Sequence, residues 1–333
     1  MPDNIVSSLH SPNFTPITLP RRKLRKIAGP ALAAVLFGLA MQLLVDEVRS
    51  GSITWDKFMA GLTGVSPLYL GFAAFLIALN YGLLISYDLL ALRYLVRSLP
   101  LRKVALVSFL GYSLGNNLGT FLAATPIRFR FYSRWGLTSS QIVVMVSILG
   151  LTFWSGLWFL GGVVLVWVPV DLPSNIDLPF GTRTLGAILL SLAIGYLIVC
   201  FTWRKPWPIG ELHLRPPEPG LMFVQASVAA VDLLISATAL YLVLPDGAIV
   251  PFATVLAAYL VGIAVSLISQ VPGGLGVLEA ILLLLLKESV GDSVLASVLI
   301  FRMLYYIVPL MFGMIVLVGH EIYSGAVEAR GAR

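Results

Sequence analysis

Long apolar runs recur along this chain, and most polar residues fall in the short stretches between them. A helix that crosses the hydrocarbon core of a bilayer needs about 20 apolar residues. Six uninterrupted runs reach roughly that length: 27–45, 68–90, 141–168, 184–203, 221–244 and 294–318. Two further apolar regions are broken, 104–124 by Gly115-Asn116-Asn117 and 252–287 by Pro272-Gly273-Gly274. The pattern predicts an all-α polytopic membrane protein with about six full transmembrane helices and two broken or re-entrant hairpins.

The composition excludes a soluble globule. The chain of 333 residues is 58% hydrophobic and only 11% charged, whereas soluble domains carry about 25% charged residues. Its net charge of +6 sits in short clusters beside the apolar runs, which is typical of topology signals rather than of nucleic-acid binding. We therefore expect a disordered basic N-terminal tail (1–26), a single transmembrane domain (27–320) and a short cytoplasmic tail (321–333).

The distribution of basic residues predicts the topology. The run Arg21–Lys26 places the N-terminus in the cytoplasm, and arginines flank region 104–124 on both sides. That region would therefore enter from the cytoplasm and return to it, while 252–287 would dip in from outside. Each half then contains three spans and one broken hairpin in opposite orientations, an inverted repeat typical of transporters. Because lipid cannot satisfy unwound backbone, the two breaks predict one central polar site.

Enzyme chemistry has little support in the sequence. The single cysteine, Cys200, excludes an internal disulfide and a multi-cysteine zinc site, and the three histidines are scattered. There is no phosphate-binding loop and no nucleophile elbow. We expect no cofactor and no metal, and a protein that is not an enzyme.

An arginine-rich stretch follows the first break. Arg128, Arg130 and Arg134 lie beside Tyr132 and several other aromatic residues. One interpretation is positive-inside charge with an interfacial aromatic belt. The other is recognition of a phospholipid phosphate, because the planar guanidinium group binds phosphate through two parallel hydrogen bonds.

A glycine-rich turn forms the second break. Pro272, Gly273, Gly274 and Gly276 cannot continue an ordinary helix. Glu279 follows in the first turn of the next apolar helix, where the helix dipole favours a carboxylate. Carboxylates inside a membrane are nonetheless costly and are usually functional or paired.

Other ionisable and amide side chains interrupt apolar sequence. Arg302 needs a carboxylate partner, for which Glu279 and Asp232 are the candidates. A short loop joins the second hairpin to the last span, so we expect Glu279 and Arg302 to be linked and to face the central cavity. Asn116 and Asn117 could line that cavity or bond a neighbouring helix.

Three stretches together resemble the transmembrane region of lysylphosphatidylglycerol synthase, the flippase domain of multiple peptide resistance factors. They read RFRFYSRWGL, VPGGLGVLEA and FRMLYYIVP, and the resemblance covers about 100–320. It implies translocation of aminoacylated phosphatidylglycerol, or a related anionic phospholipid, between the leaflets of the cell inner membrane. It also implies lipid contacts for Arg128, Arg130, Tyr132, Glu279, Arg302 and Tyr305, which match the family's motifs. The family's glycine-rich turn, a backbone break, is matched by Pro272, Gly273, Gly274 and Gly276. The first half departs from the pattern, with Ala123-Ala124-Thr125-Pro126 where many relatives have glycines.

Three functions remain open at this stage. The first is a lipid flippase whose partners are a phospholipid and a separate aminoacyl-lipid synthase domain, or a second copy of the chain. In it, arginines would hold the lipid phosphate, and Glu279 or Asp232 would meet the cationic aminoacyl group. Without an ATP site, its transport would run downhill or use an ion gradient. The second is a secondary transporter of a small anion, which fits the same inverted repeat. The third is a scaffold subunit that docks a lipid-modifying enzyme.

The topology predicts that residue 130 faces the cytoplasm. In a Cys200→Ser background, we expect Arg130→Cys to react with a membrane-impermeant maleimide in inverted vesicles but not in intact cells. Ser52→Cys, in the loop expected outside, serves as the control and should show the opposite pattern. Labelling of position 130 from outside intact cells would contradict the re-entrant assignment.

Overall fold

The computed structural model describes residues 59, 62–168, 181–203, 205–209, 212–245, 250–291 and 293–331. The predicted N-terminal tail 1–26 and the predicted span 27–45 lie outside the described residues. Within the described part the chain is almost entirely helical. A short antiparallel ribbon, β1 (Trp207–Ile209) and β2 (Leu212–Leu214), is the one extended element there.

Ten α-helices follow one another in these described segments. They are α1 (Pro67–Tyr94), α2 (Leu101–Leu118), α3 (Thr125–Arg134), α4 (Ser139–Trp167), α5 (Thr182–Thr202), α6 (Pro219–Leu242), α7 (Phe252–Ser269), α8 (Val277–Val290), α9 (Val294–Arg302) and α10 (Val308–Gly331). A π-helical turn, Thr120–Ala124, joins α2 to α3, and a second one, Met303–Ile307, joins α9 to α10. The last helix thus continues through most of the segment expected to be a tail.

Among the described residues, six helices are long and apolar enough to cross a membrane. They are α1, α4, α5, α6, α7 and the continuous helix Val294–His320 formed by α9 and α10. The predicted spans 68–90, 141–168, 184–203, 221–244 and 294–318 are confirmed, and so is the all-α polytopic class. Helix α7 belongs to the second predicted hairpin and is itself of spanning length.

The first break lies later than its sequence pattern indicated. Asn116 and Asn117 remain helical, and α2 ends at Leu118. The chain turns at Gly119, whose φ of 91° lies in the region that glycine adopts without steric cost. The expectation of a break at Gly115-Asn116-Asn117 is therefore wrong by a few residues, because an asparagine pair can be accommodated in a helix whereas this backbone conformation requires glycine.

The second break lies where the sequence predicted it. Helix α7 is terminated by Gln270 in a left-handed conformation, and Pro272–Gly274 form a single 3₁₀ turn. Gly273, Gly274 and Gly276 all have positive φ. Glycine is needed at these positions because other residues pay about 1–2 kcal/mol for such a backbone conformation.

The tips of the two hairpins meet. A β-carbon placed on Gly273 would lie 2.7 Å from the carbonyl oxygen of Asn117 and 3.0 Å from that of Asn116. Gly119 also faces the Cα of Pro272. The turn of the second half therefore packs directly on the C-terminal end of α2 in the first half. This contact brings both breaks to one place, as the sequence predicted.

This contact predicts a specific cost for Gly273→Ala. Gly136 is the control, since it also has a positive φ, at a helix C-terminal turn, but nothing lies within 4 Å of an added β-carbon. Gly273→Ala should lower the stability by about 1–3 kcal/mol more than Gly136→Ala, owing to overpacking against the two carbonyls. Thermal unfolding of the purified protein measures the difference. Equal losses for the two variants would show that the hairpin tips are not in contact.

Candidate functional site

A buried ion pair anchors the first hairpin to α1. Arg128 of α3 donates from Nε to Asp88 Oδ1 at 3.0 Å and from Nη2 to Asp88 Oδ2 at 2.9 Å. Tyr132 donates its hydroxyl to the same Oδ1 at 3.0 Å. Arg128 is 2% exposed and Asp88 is fully buried. Asp88 is thus the counter-ion of Arg128.

The guanidinium group of Arg128 is fixed from several sides. Its central carbon lies 4.9 Å from the ring centre of Tyr112. A β-carbon on Gly111 would come within 3.0 Å of Nη1, so the guanidinium group packs against α2 where Gly111 has no side chain. Asp88 occupies the Nε–Nη2 edge of the guanidinium group, which is one of the two edges that can bind a phosphate through two hydrogen bonds. On the other edge, the contact of Nη1 with the carbonyl oxygen of Ala124 is long, at 3.5 Å.

A second buried ion pair holds the second hairpin. Arg302 of α9 bonds Glu279 of α8 through Nε and through Nη2, the latter 3.0 Å from Oε2. Nη2 also donates to the carbonyl oxygens of Gly273 and Gly274, at 3.2 and 2.9 Å. The ring of Tyr306 covers the guanidinium group, 4.9 Å away. The expected link between Glu279 and Arg302 is confirmed, and it also satisfies backbone carbonyls that the glycine turn leaves free.

A third buried carboxylate, Asp232 of α6, is bonded by neutral groups. Asn80 donates its amide to Oδ1 at 2.6 Å, and Tyr87 donates its hydroxyl to Oδ2 at 2.7 Å. Tyr305 donates to Asn80 Oδ1 at 3.0 Å and extends the network to the last spanning helix. No ion pair to Asp232 is present among the described residues. Among the described residues, its charge is therefore offset by neutral hydrogen-bond donors alone.

A cavity of about 580 Å³ lies between the two halves. Its walls come from both hairpins and from α1, α4, α6 and the π turn before α10. The polar lining groups include Tyr87, Tyr112, Asn116, Arg128, Asp232 and Tyr305, and the apolar lining includes Phe153 and Trp154. A smaller cavity of about 220 Å³ lies where the hairpin tips meet. We call these the central cavity and the tip cavity.

The predicted site residues differ in where they lie relative to the two cavities. Four line the central cavity: Asn116, Arg128, Asp232 and Tyr305. Four others support its walls without lining it: Asn117, Tyr132, Glu279 and Arg302. Arg130 and Arg134 lie on the exposed side of α3. Glu279 and Arg302 were expected to face the central cavity, but neither residue lines it. They bond each other instead. The tip cavity is lined by Pro272, Gly273 and Gly274 but not by Gly276.

Sequence reasoning missed the polar face of α1. Asn80, Tyr81, Tyr87 and Asp88 all make buried hydrogen bonds between helices. Residues seven apart lie on the same side of a helix after two turns. Asn80 with Tyr87, and Tyr81 with Asp88, follow that spacing within an otherwise apolar span. This seven-residue repeat could have identified the polar face from the sequence alone. It marks the face of α1 that meets α2 and α6.

Comparison with known proteins found no matching family model, but it found several similar proteins. The chain is 33% identical over 292 residues to the uncharacterized protein slr0712 of Synechocystis, covering 87% of this chain and 90% of the relative. It is 30% identical over 294 residues to the inner membrane protein YbhN of Escherichia coli, covering 87% and 91%. A phosphatidylglycerol lysyltransferase of Staphylococcus haemolyticus is 26% identical over 306 residues, covering 89% of this chain but 34% of the relative.

The ion pair of the second hairpin predicts energetic coupling. Glu279→Gln or Arg302→Gln alone should cost about 3–5 kcal/mol, because each leaves a buried charge unpaired. The double variant should cost less than the sum by more than about 1 kcal/mol. Unfolding free energies of the purified variants give the coupling. Glu218→Gln, at an exposed position before α6, should instead add to Arg302→Gln without coupling. Additive losses for the Glu279–Arg302 combination would contradict the pairing.

Proposed function

The chain belongs to the family of membrane proteins that includes YbhN of Escherichia coli and slr0712 of Synechocystis, and we propose that it is an inner-membrane phospholipid flippase-like protein. Its substrate would be aminoacylated phosphatidylglycerol or a related phospholipid. The lysyltransferase relative acts, by its name, on phosphatidylglycerol, and this chain corresponds to 34% of its length. The proposal rests mainly on the central cavity.

The size and lining of the central cavity suit a lipid headgroup. Binding sites for small ligands commonly enclose about 300–1,000 Å³, with apolar walls and a few placed polar groups. The cavity of about 580 Å³ falls in that range. Phe153 and Trp154 provide apolar wall, while phenols and amides provide hydrogen bonds. A glycerophosphate headgroup with an aminoacyl ester needs both kinds of surface.

The charges of the cavity favour a headgroup that carries a cation. Arg128 and Asp88 neutralise each other, so Asp232 is left as the unbalanced charge among the described lining residues. A small anion would meet this carboxylate without an uncommitted cation beside it. An aminoacyl ammonium group would instead pair with Asp232, and the lipid phosphate would approach Nη1 of Arg128 and the hydroxyl of Tyr112. The arrangement therefore favours an aminoacylated lipid over a small anion.

The position of the first π turn supports access from the lipid. Phe121 lines both cavities, yet it is 73% exposed, and its neighbour Leu122 is 74% exposed. In a protein with helices of spanning length, neighbouring large apolar side chains that are exposed are suited to contact with acyl chains. Phe121 thus places part of the cavity wall on the lipid-facing surface. A headgroup could enter beside it while its acyl chains stay in the bilayer.

Asp232→Asn tests the proposal. The substitution keeps the size of the side chain, removes its charge and replaces one of the two acceptor oxygens with an amide donor. In vesicles that contain the purified protein and fluorescent lysylphosphatidylglycerol, the parent should accelerate flipping over protein-free vesicles. Asp232→Asn should reduce that rate at least about tenfold, since a lost ionic hydrogen bond costs about 1.5–3 kcal/mol. Glu218→Gln, an exposed carboxylate beside the same helix, should flip at the parent rate.

Three results would contradict the proposal. The parent protein could leave lipid flipping at the protein-free rate. It could transport sulfate or phosphate in the same vesicles while leaving lipids in place, which would identify an anion transporter. Asp232→Asn could flip lysylphosphatidylglycerol at the parent rate, which would remove the cationic group from the cavity.

A further inference from the structure

The tip cavity is formed by the C-terminal ends of two helices, one from each half of the chain. Asn116 and Leu118 belong to the last turn of α2, and Ser266 and Leu267 to the last turn of α7. The last carbonyl groups of a helix have no partner within the helix and carry partial negative charge. Two such ends point toward one small cavity.

Some of these carbonyls are already used, and others are not. Gly115 accepts a hydrogen bond from the Gly119 amide, and Leu267 accepts one from the Gln270 amide. The carbonyl oxygens of Asn116 and Asn117 lie against the open face of Gly273. Of these two residues, Asn116 lines the tip cavity, and a glycine Cα offers its carbonyl oxygen no N–H donor.

Ser266 is an independent sign of a ligand. Its side chain is 6% exposed and lines the tip cavity. Its hydroxyl oxygen has no hydrogen-bond partner among the described residues. Leaving a buried hydroxyl group unpaired costs about 1–3 kcal/mol. A bound species that contacts this oxygen removes that cost.

We propose that the tip cavity binds a small monovalent metal cation, for which Na⁺ is the probe. No charged residue is among the described residues that line it, and these residues offer neutral oxygens, including the Ser266 hydroxyl, the Asn116 side-chain amide and main-chain carbonyls. Divalent cations such as Ca²⁺ favour carboxylate oxygens, and no carboxylate lines the cavity among the described residues. Arg302 does not compete, because Glu279 neutralises it and its Nη2 is already bonded to the Gly273 and Gly274 carbonyls. A volume of about 220 Å³ admits an ion with part of its water shell.

A cation at this position would connect the two hairpins. It would lie between the C-terminal ends of α2 and α7, and so it would favour the arrangement in which the tips touch. Cation sites made from helix C-terminal ends and unwound carbonyls recur at the repeat interface of secondary transporters. The proposal concerns ion binding by the protein alone and does not depend on which lipid, if any, the central cavity accepts.

Thermal unfolding of the lipid-free protein in detergent tests the cation site. NaCl is titrated against choline chloride at constant ionic strength. We expect a saturable rise in Tm of about 3 °C or more for the parent. Ser266→Ala should require at least about tenfold more Na⁺ for the same rise. Ser155→Ala is the matched control, since Ser155 is also buried in a spanning helix but donates to the Thr152 carbonyl oxygen and should respond like the parent.

Each other outcome overturns the proposal. The Tm of the parent could be independent of Na⁺, or Ser266→Ala could need the same Na⁺ concentration as the parent for its half-maximal rise in Tm. Methylammonium chloride could also raise the Tm of the parent more than NaCl does, which would mean that the cavity binds an amine. If Ser266→Ala does not fold, binding of ²²Na⁺ to the parent decides the question. Saturable binding of about one equivalent supports the site, and unsaturable binding rejects it.

Discussion

Backbone that leaves helical geometry inside a bilayer needs protein partners for its freed N–H and C=O groups, because hydrocarbon offers none. Arg302 supplies such partners to Gly273 and Gly274 and is itself neutralised by Glu279. Arg128, a few residues after the break at Gly119, is held by Asp88. Each hairpin is thus tied to a spanning helix by one buried ion pair. Removal of one partner would leave a charge whose burial costs several kcal/mol.

The two ion pairs have opposite polarity, and this determines the charge of the space between them. The first hairpin carries the cation and the second carries the anion, and in both the counter-ion comes from a spanning helix. Both arginines are neutralised before any ligand arrives. Asp232, bonded only by neutral groups, is then the residue that gives the central cavity its charge. A positively charged headgroup suits this cavity better than a free anion does.

Features that depend on residues close together in the chain could be predicted from the sequence, whereas contacts between distant residues could not. Apolar run length is a local property, so the spans could be predicted. Glycine with proline identified the second break, whereas the first was misplaced because Asn116 and Asn117 stay helical. The Glu279–Arg302 pair joins neighbouring elements only 23 residues apart. The Asn80–Asp232 bond joins residues 152 apart, and nothing in a single sequence shows which apolar spans pack together. The alignment of α1 with α6 required the structure.

The central claim is that the cavity between the two hairpins holds a phospholipid headgroup. An experimental structure of the protein in nanodiscs that contain lysylphosphatidylglycerol, enlarged by a bound antibody fragment for electron microscopy, tests it most directly. The account predicts headgroup density between Asp232 and Nη1 of Arg128, with the acyl chains leaving beside Phe121 and the Asp88–Arg128 pair intact. A cavity free of lipid, with headgroups bound only at the exposed Arg130 and Arg134, would contradict it.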